Sequence, residues 1–550
     1  MTKKSLMAFL SGLFIIRSRE KIDKVKQKAK LAHQLKWIDG LIALLIFSAF
    51  LAQSVHTIHQ VGPCWDEPVY FHLVKRYVEW FRNLSIESFS ETTLDSVFKI
   101  KLHGNAHPSL AKLLATASYV LFKNFLGEFW AFRFYAPILF ALLLSLIYVQ
   151  TTQTWGRLAG IASVLCTGLM PRLFTDGHIG ATEAPLMFFW FLTTLMFSAS
   201  FQNRRLAPVA GVCYGLAMSV KFTGFLLPIP VLFSALFYHR RKLLFPALCL
   251  ALLGPVVFLI LQPSMWHHPV RNFLEFLQIS LFREGKTSID VFFLGHHYEF
   301  SAPWYYAPFM VMVTVPVLTL ALFLLGIFRA VLNLFKDELS VSSLIHFSFF
   351  MLITMLPNAP TYDGVRLFDP AFIFLGLLAG YGFAGLFSWL KKTRLKLLAQ
   401  SGLILLLILG TVLPFVKVYP YGLEYYNELI RGPSGAKRLG LETTYWFTVI
   451  NENDVKHINS LLPQNARLMV YPRLAHMGEF YQELGLLRND IKMTQRQDFE
   501  YLLMLSRPWW DLDENFLAIR THPSRLEILD QKTLDGVPLW VFYRKKDQEQ

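Results

Sequence analysis

Apolar runs long enough, or nearly long enough, to cross a bilayer recur along the chain. They fall at about 37–57, 131–150, 158–175, 181–201, 206–220, 222–238, 243–262, 304–330, 341–357, 367–390 and 397–416. The pattern predicts a mainly α, polytopic membrane bundle of about eleven spans, the pair on either side of Lys221 being the shortest. A further apolar stretch at 109–126 is interrupted by Lys112 and Lys123. Read as a span it would invert every later connector, so it is expected to lie in the interface.

Basic connectors set the expected orientation. Arg17 to Lys36 precedes the first run, Arg204-Arg205 follows the fourth, and His239-Arg240-Arg241-Lys242 follows the sixth. Lys336 follows the eighth, and Lys391-Lys392-Thr393-Arg394 the tenth. If the spans alternate, all five share one face, which places the N-terminus in the cytoplasm. The other face then receives 58–130, 171–180, the turn at Lys221, 263–303, 358–366 and the tail from about 417. The tail changes character. Apolar stretches at 466–471, 501–505 and 538–543 read as buried strands, with helical patterns at about 452–462 and 476–486. Three parts follow: a basic cytoplasmic segment 1–36, a membrane module 37–416, and a small extracytoplasmic α/β domain 417–550.

Composition agrees with a membrane protein. The 550 residues are 54% hydrophobic and 17% charged, more apolar surface than a large soluble enzyme can bury. Fifty Phe, 21 Tyr and 13 Trp add rings suited to the headgroup level. The net charge of +15 sits in the connectors, so it reads as an orientation signal with no nucleic-acid partner. Of the four cysteines, Cys166, Cys213 and Cys249 fall inside apolar runs, and with Cys64 they show no disulfide or metal spacing. The short run Phe9 to Ile16, followed by basic residues, does not read as a cleavable signal.

The outer segments collect the unusual polar residues. Asp66 and Glu67 lie in Gly62-Pro63-Cys64-Trp65-Asp66-Glu67-Pro68, just past the first run, with His103, His107, Lys112 and Arg133 further on. Arg172, Asp176, His178 and Glu183 follow, then Lys221, His267-His268, His296-His297 and Arg366. Carboxylates beside hydrocarbon are costly, so their presence points to use. Acids and cations on one side of a membrane suit proton abstraction next to a held phosphate. Plainer readings stand beside this one. Asp66 and Glu67 could cap a following helix, with Pro68 in its first turn. Lys221 and Arg366 could snorkel from helix ends, and Glu183 could be an ordinary loop carboxylate. The His pairs could ligate a divalent metal or simply be solvated. Asn83-Leu84-Ser85 is a formal glycosylation sequon of a kind common by chance.

Trp65-Asp66-Glu67 after the first run resembles the Asp-Glu element of dolichyl-phosphate-mannose protein mannosyltransferases and of bacterial lipid A aminoarabinose transferases. His107-Pro108-Ser109-Leu110-Ala111-Lys112 is similar to the mannosyltransferases' His-Pro-Pro-Leu-x-Lys stretch, with Ser109 in place of the second proline. Arg133 opens the next run, as in that family. The resemblance extends through Asp176 to Pro185, Lys221-Phe222-Thr223-Gly224, Gly364-Val365-Arg366, and the tail from Tyr425 to Trp446. It covers about residues 37–450.

The resemblance implies a C-type glycosyltransferase fold and a polyprenyl-phosphate sugar donor, with no nucleotide cofactor. It implies Asp66 as general base and Glu67 as its assistant, with Glu183 and Asp176 as further acids of the site. Arg133 would hold the lipid phosphate, joined by Lys112, Lys221, Arg366 and Arg172, and His107 and His178 would line the pocket. No β-trefoil module of the eukaryotic mannosyltransferases can be placed, so the acceptor stays open among lipid, glycan and protein. The metal-binding His and Glu of some relatives have no secure counterpart here.

The expected chemistry is one inverting displacement. The acceptor loses its proton to Asp66, while cations stabilise the departing phosphate. The competing reading is a transporter or lipid flippase of envelope precursors. It calls for mid-span charges and inverted repeats, and neither appears. A structural subunit would leave the clustered acids unexplained. The expected location is a bacterial inner membrane.

Overall fold

A computed structural model describes residues 37–101, 105–281, 289–392, 394–472, 476–494, 498–507 and 526–546. The basic segment 1–36 and His103 lie outside the described residues. Helices stand at all eleven predicted runs. By length and composition, five of the described helices are long and apolar enough to cross a membrane: Trp37–Gln60, Glu128–Trp155, Leu244–Leu261, Pro370–Leu390 and Lys396–Val418. Five other apolar helices are shorter. Proline accounts for much of the difference. The run 158–175 divides into Arg157–Gly168 and Pro171–Asp176, and the run 222–238 into Phe222–Leu226 and Pro228–Tyr238. In each case the proline opens the second piece, where its missing N–H costs nothing. Pro316 likewise separates Tyr306–Thr314 from Val317–Leu332.

Small residues let the helices approach closely. A Cβ on Gly326 would meet the Leu378 carbonyl at 2.0 Å, and one on Gly382 the Leu322 carbonyl at 2.1 Å. Helix Val317–Leu332 is thereby pressed against Pro370–Leu390, which is buried along most of its length. By contrast, helix Leu244–Leu261 keeps Leu244, Leu252 and Ile260 exposed, as a lipid-facing helix should. The stretch at 109–126 forms helix Leu110–Leu126, with Leu121 and Phe125 outward and Lys112 inward.

Connectors gather at one end of the bundle. There His239 meets Glu338 at 2.9 Å, Ser198 donates to Glu338, and the Trp155 indole donates to Asp337. The candidate acids and bases lie away from these contacts.

The tail has two parts. Residues 419–446 lie along the bundle, where Asn427 Nδ2 donates to the carbonyls of Met312 and Val315. From Phe447 onward a separate hydrophobic core forms. All three predicted strands are present, but the five-stranded sheet needs two more. A first hairpin, β1 (Asp290–Phe293) and β2 (His296–Glu299), stands apart in the 263–303 segment. The tail sheet then holds β3 (Arg467–Tyr471), β4 (Lys492–Met493), β5 (Tyr501–Leu505), β6 (Leu526–Leu534) and β7 (Val537–Lys545), in the order β4-β3-β5-β7-β6. β3 runs parallel to β4 and β5, and β7 runs antiparallel to β5 and β6. Helices Glu452–Leu461 and Met477–Glu483 stand where the pattern put them.

Candidate active site

Asp66 occupies the N-cap position of helix Glu67–Arg82, with Pro68 in the first turn, yet its side chain caps nothing. Its Oδ2 accepts from the Trp446 indole at 2.9 Å and faces Arg366 Nη1 at 3.8 Å. The capping reading is therefore wrong in its essential part: the carboxylate points away from the helix. Burial raises its pKa from the ordinary aspartate value, with Asp363 and Glu183 adding to the rise and Arg366 and Trp446 opposing it.

Glu67 is turned the other way. Fully buried, it forms a two-point ion pair with Arg133, Oε1 to Nε and Oε2 to Nη2, both at 2.5 Å. It also accepts the backbone N–H groups of Cys64 and Gly180. Arg133 spends its other donors on the carbonyls of Val61 and Gly62. The pair thus locks the Asp66 loop from behind. Arg133, expected at the phosphate, is engaged on every nitrogen by this loop.

Of the phosphate candidates, Arg366 is the one that faces Asp66 among the described residues. Arg366 follows the loop 358–365, where Asp363 (φ +55) and Gly364 (φ +73) are both left-handed. That turn directs Arg366 back into the cluster. Its Nη2 donates to Asp363 at 2.8 Å, and its Nη1 lies 3.4 Å from Glu183 Oε1. Glu183, at the start of its helix, also holds Lys221 at 3.0 Å. Arg172 lies across the crevice, over the rings of Tyr426 and Tyr445, with Nε donating to the Tyr425 carbonyl. Gly364 takes a left-handed φ of +73°, a conformation that favours glycine, and lies against Arg172 Nη1. Arg172, Arg366, Asp176, Asp363, Tyr445 and Trp446 line one crevice. Arg172 Nη2 and Arg366 Nε have no hydrogen-bond partner among the described residues. Both guanidinium groups thus keep one buried N–H donor that no described residue accepts.

Asp176 and Asp369 form a second, deeper pair, buried together and without other hydrogen-bond partners among the described residues. Burial raises Asp176 well above the carboxylate range, and nearby Glu183 raises it further. The two carboxyls can share one proton.

Besides Glu67 and Arg133, the expected residues Lys112, His107 and His178 do not join this cluster. Lys112 is buried in a neighbouring crevice with His107, Tyr70 and Tyr135, where Nζ donates to Asn105 Oδ1 and the His107 carbonyl, both at 2.6 Å. Burial lowers its pKa to about 7. His178 is enclosed, with Nε2 at 2.9 Å from Thr57 Oγ1 and Nδ1 at 2.7 Å from the Phe174 carbonyl. Burial lowers it to about 4, as a core histidine. The His pairs are scattered: His267 contacts the Phe89 carbonyl, His268 faces Glu91, and His297 pairs with Asp290. Among the described residues no group of three or more His, Cys, Asp or Glu is arranged to hold a metal ion. All four cysteines are free and buried.

The resemblance took in the tail as far as Trp446, but neither Trp446 nor Arg507 was given a place in the site. Trp446 supplies the hydrogen bond to Asp66. Arg507, just past β5, binds Glu442 through Nε and Nη2, each at 3.1 Å, and reaches Asp363 at 3.3 Å. A basic residue ending a buried strand was the available signal.

Residues 106–267 match the family model described as Dolichyl-phosphate-mannose-protein mannosyltransferase. That stretch holds His107, Lys112, Arg133, Arg172, Asp176, Glu183 and Lys221, and the match supports the resemblance drawn from the motifs. No curated protein matches the chain. Among solved structures, the chain is similar to ArnT from Cupriavidus metallidurans bound to undecaprenyl phosphate, at 17% identity and a TM-score of 0.49, covering 93% of this chain and 98% of that one. It is also similar to the same protein in the apo state, at 16% identity and a TM-score of 0.49, covering 92% and 97%. Likeness at this level assigns no residue a role.

Proposed function

We propose that the protein is an integral-membrane glycosyltransferase that moves a sugar from a polyprenyl-phosphate donor to an acceptor at the outer face of the membrane. One observation carries the reading. A carboxylate stands at a helix N-terminus without capping it and faces a guanidinium that shares a crevice with a second one. This is the pairing that a proton-taking base and a leaving phosphate require.

In the proposed reaction the acceptor oxygen gives its proton to Asp66 and attacks the anomeric carbon. The bond from that carbon to the phosphate oxygen breaks with inversion, and the electron pair leaves with the phosphate. Arg366 and Arg172 meet the departing charge through the N–H groups their protein partners leave open. Lys221 acts one step back, holding Glu183 and so fixing Arg366. Glu67 and Arg133 hold the loop of the base, and Lys112 holds residues 105–107. Asp176 and Asp369, keeping one proton between them, limit the negative charge beneath the site. Trp446 and Tyr445 offer flat faces for a sugar ring. The gathering of connectors at the opposite end of the bundle favours a cytoplasmic N-terminus and an outward-facing site.

Sugar release from labelled polyprenyl-phosphate donors by the purified protein tests this. Asp66→Asn is expected to lower turnover by roughly 10²–10⁴-fold, the usual contribution of a positioned base. Unchanged turnover in that variant, or a trapped covalent sugar–enzyme adduct, would overturn it.

A further inference from the structure

The tail domain reaches the site through one buried chain of charges. Arg507 leaves the end of β5, where Ser506 N–H donates to the Leu539 carbonyl and Thr444 Oγ1 donates to the Ser506 carbonyl. Its side chain is 2% exposed and that of Asp363 is 1% exposed. Arg507 binds Glu442 at two points and touches Asp363 Oδ1 at 3.3 Å. Asp363 Oδ2 holds Arg366 at 2.8 Å, and Arg366 faces Asp66 at 3.8 Å. Arg507 also stacks on Trp65, the residue before the base, with 5.3 Å to the ring centroid. Glu442 is tied to the 263–303 segment as well, accepting the Phe292 N–H at 3.3 Å.

Among the described residues Asp363 therefore has two cations, one from the tail and one from the loop that carries Arg366. What it takes from Arg507 it does not demand of Arg366. Building on the sugar-transfer reading above, we infer that Arg507 is a positioning residue, contributed by the tail domain, that sets how far Arg366 leans toward Asp66. Losing Arg507 leaves Asp363 to draw Arg366 off the base. Losing the Asp363 charge releases Arg366 toward the base. The two changes push the Asp66 carboxylate in opposite directions, and because each also removes a charge, dependence of the Arg507 effect on Asp363 is what separates positioning from direct charge. The groups that face Asp66 are Cys64 and Tyr70 from its own loop and helix, Glu183 and Arg366 across the crevice, and Asp363 and Trp446 beyond. None of them is substituted in the Arg507 variant, which also leaves Glu442 without its cation.

The test uses the full chain in detergent with carbon-13 aspartate. Infrared pH titration follows the Asp66 carboxyl, identified by the band lost in Asp66→Asn. Arg507→Met is expected to raise the Asp66 midpoint by roughly half a unit, Asp363→Asn to lower it by about as much, and Arg507→Lys to stay near the parent. Thermal unfolding of each variant separates misfolding from repositioning. In the Asp363→Asn background Arg507→Met should then leave the midpoint unmoved; a rise there as large as in the parent, or no rise from Arg507→Met alone, overturns the inference. This readout does not require turnover, so it is independent of the sugar-transfer reading. Where labelled undecaprenyl-phosphate hexose or pentose is turned over, Arg507→Met should lower kcat and leave the donor KM within about twofold. Absence of turnover by the parent protein with both donors counts against the sugar-transfer reading alone.

Discussion

At the scale of single residues, neighbouring carboxylates are set apart by what surrounds them. Glu67 is enclosed by Arg133 and two backbone N–H groups, whereas Asp66 faces a cation and an indole across a crevice. Glu67→Gln removes one partner of a buried ion pair, a change that costs about 3–5 kcal/mol. The expected result is a large fall in the thermal unfolding midpoint in detergent, while Asp66→Asn leaves that midpoint close to the parent and loses turnover. A second expectation concerns pH. A base works only when deprotonated, and the Asp66 pKa is raised by its surroundings. Turnover should therefore fall away on acidification at a higher pH than an ordinary aspartate would give, as a pH–rate profile would record. The Asp-Glu pair was legible in the sequence because two acids past an apolar run are conspicuous. Which of them faces the crevice was not, since adjacent residues on a helix start point in different directions.

Elements were legible wherever burial was uniform. Each apolar run became helix, and the strands at 467–471, 501–505 and 537–545 read as continuous apolar stretches because their sheet is packed. β6 and the hairpin β1–β2 escaped notice for the converse reason. β6 lies at the sheet edge with mostly exposed or half-buried positions, and β2 is almost wholly polar. The contact between the loop of the base and the tail is equally silent in composition. Gly62 N–H donates to the Thr448 carbonyl at 3.0 Å, and a Cβ on Gly62 would lie 2.3 Å from the Ile450 carbonyl. Gly62→Ala should push the tail segment off the loop at a cost of about 1–3 kcal/mol. Increased proteolysis near residues 446–450 at unchanged helix content would show it. Cleavage identical to the parent would count against this contact.

At the scale of the whole molecule, the tail is docked over the loop of the base, and its burial of acids carries a pH signature. Glu424 is fully buried, with Oε1 accepting the Tyr445 N–H and Oε2 unpartnered among the described residues. Burial pushes its pKa up to about 7. The folded state thus holds a proton that the unfolded chain releases at about 4.3. The stability this contributes is full below that lower value and is lost as pH rises through about 7. Glu424→Gln, which stays neutral, should raise the unfolding midpoint more at pH 8 than at pH 5, and equal gains at both would refute the assignment. The chain by itself determined the helical membrane character and the small sheet-bearing tail. These follow from hydrophobicity and charge, which act locally and leave a periodic trace. Only the tertiary structure decided that Arg366 and not Arg133 meets Asp66, and that Trp446 and Arg507 arrive from the tail. Such contacts join residues hundreds of positions apart, and no local pattern encodes which of several buried cations a given carboxylate will find.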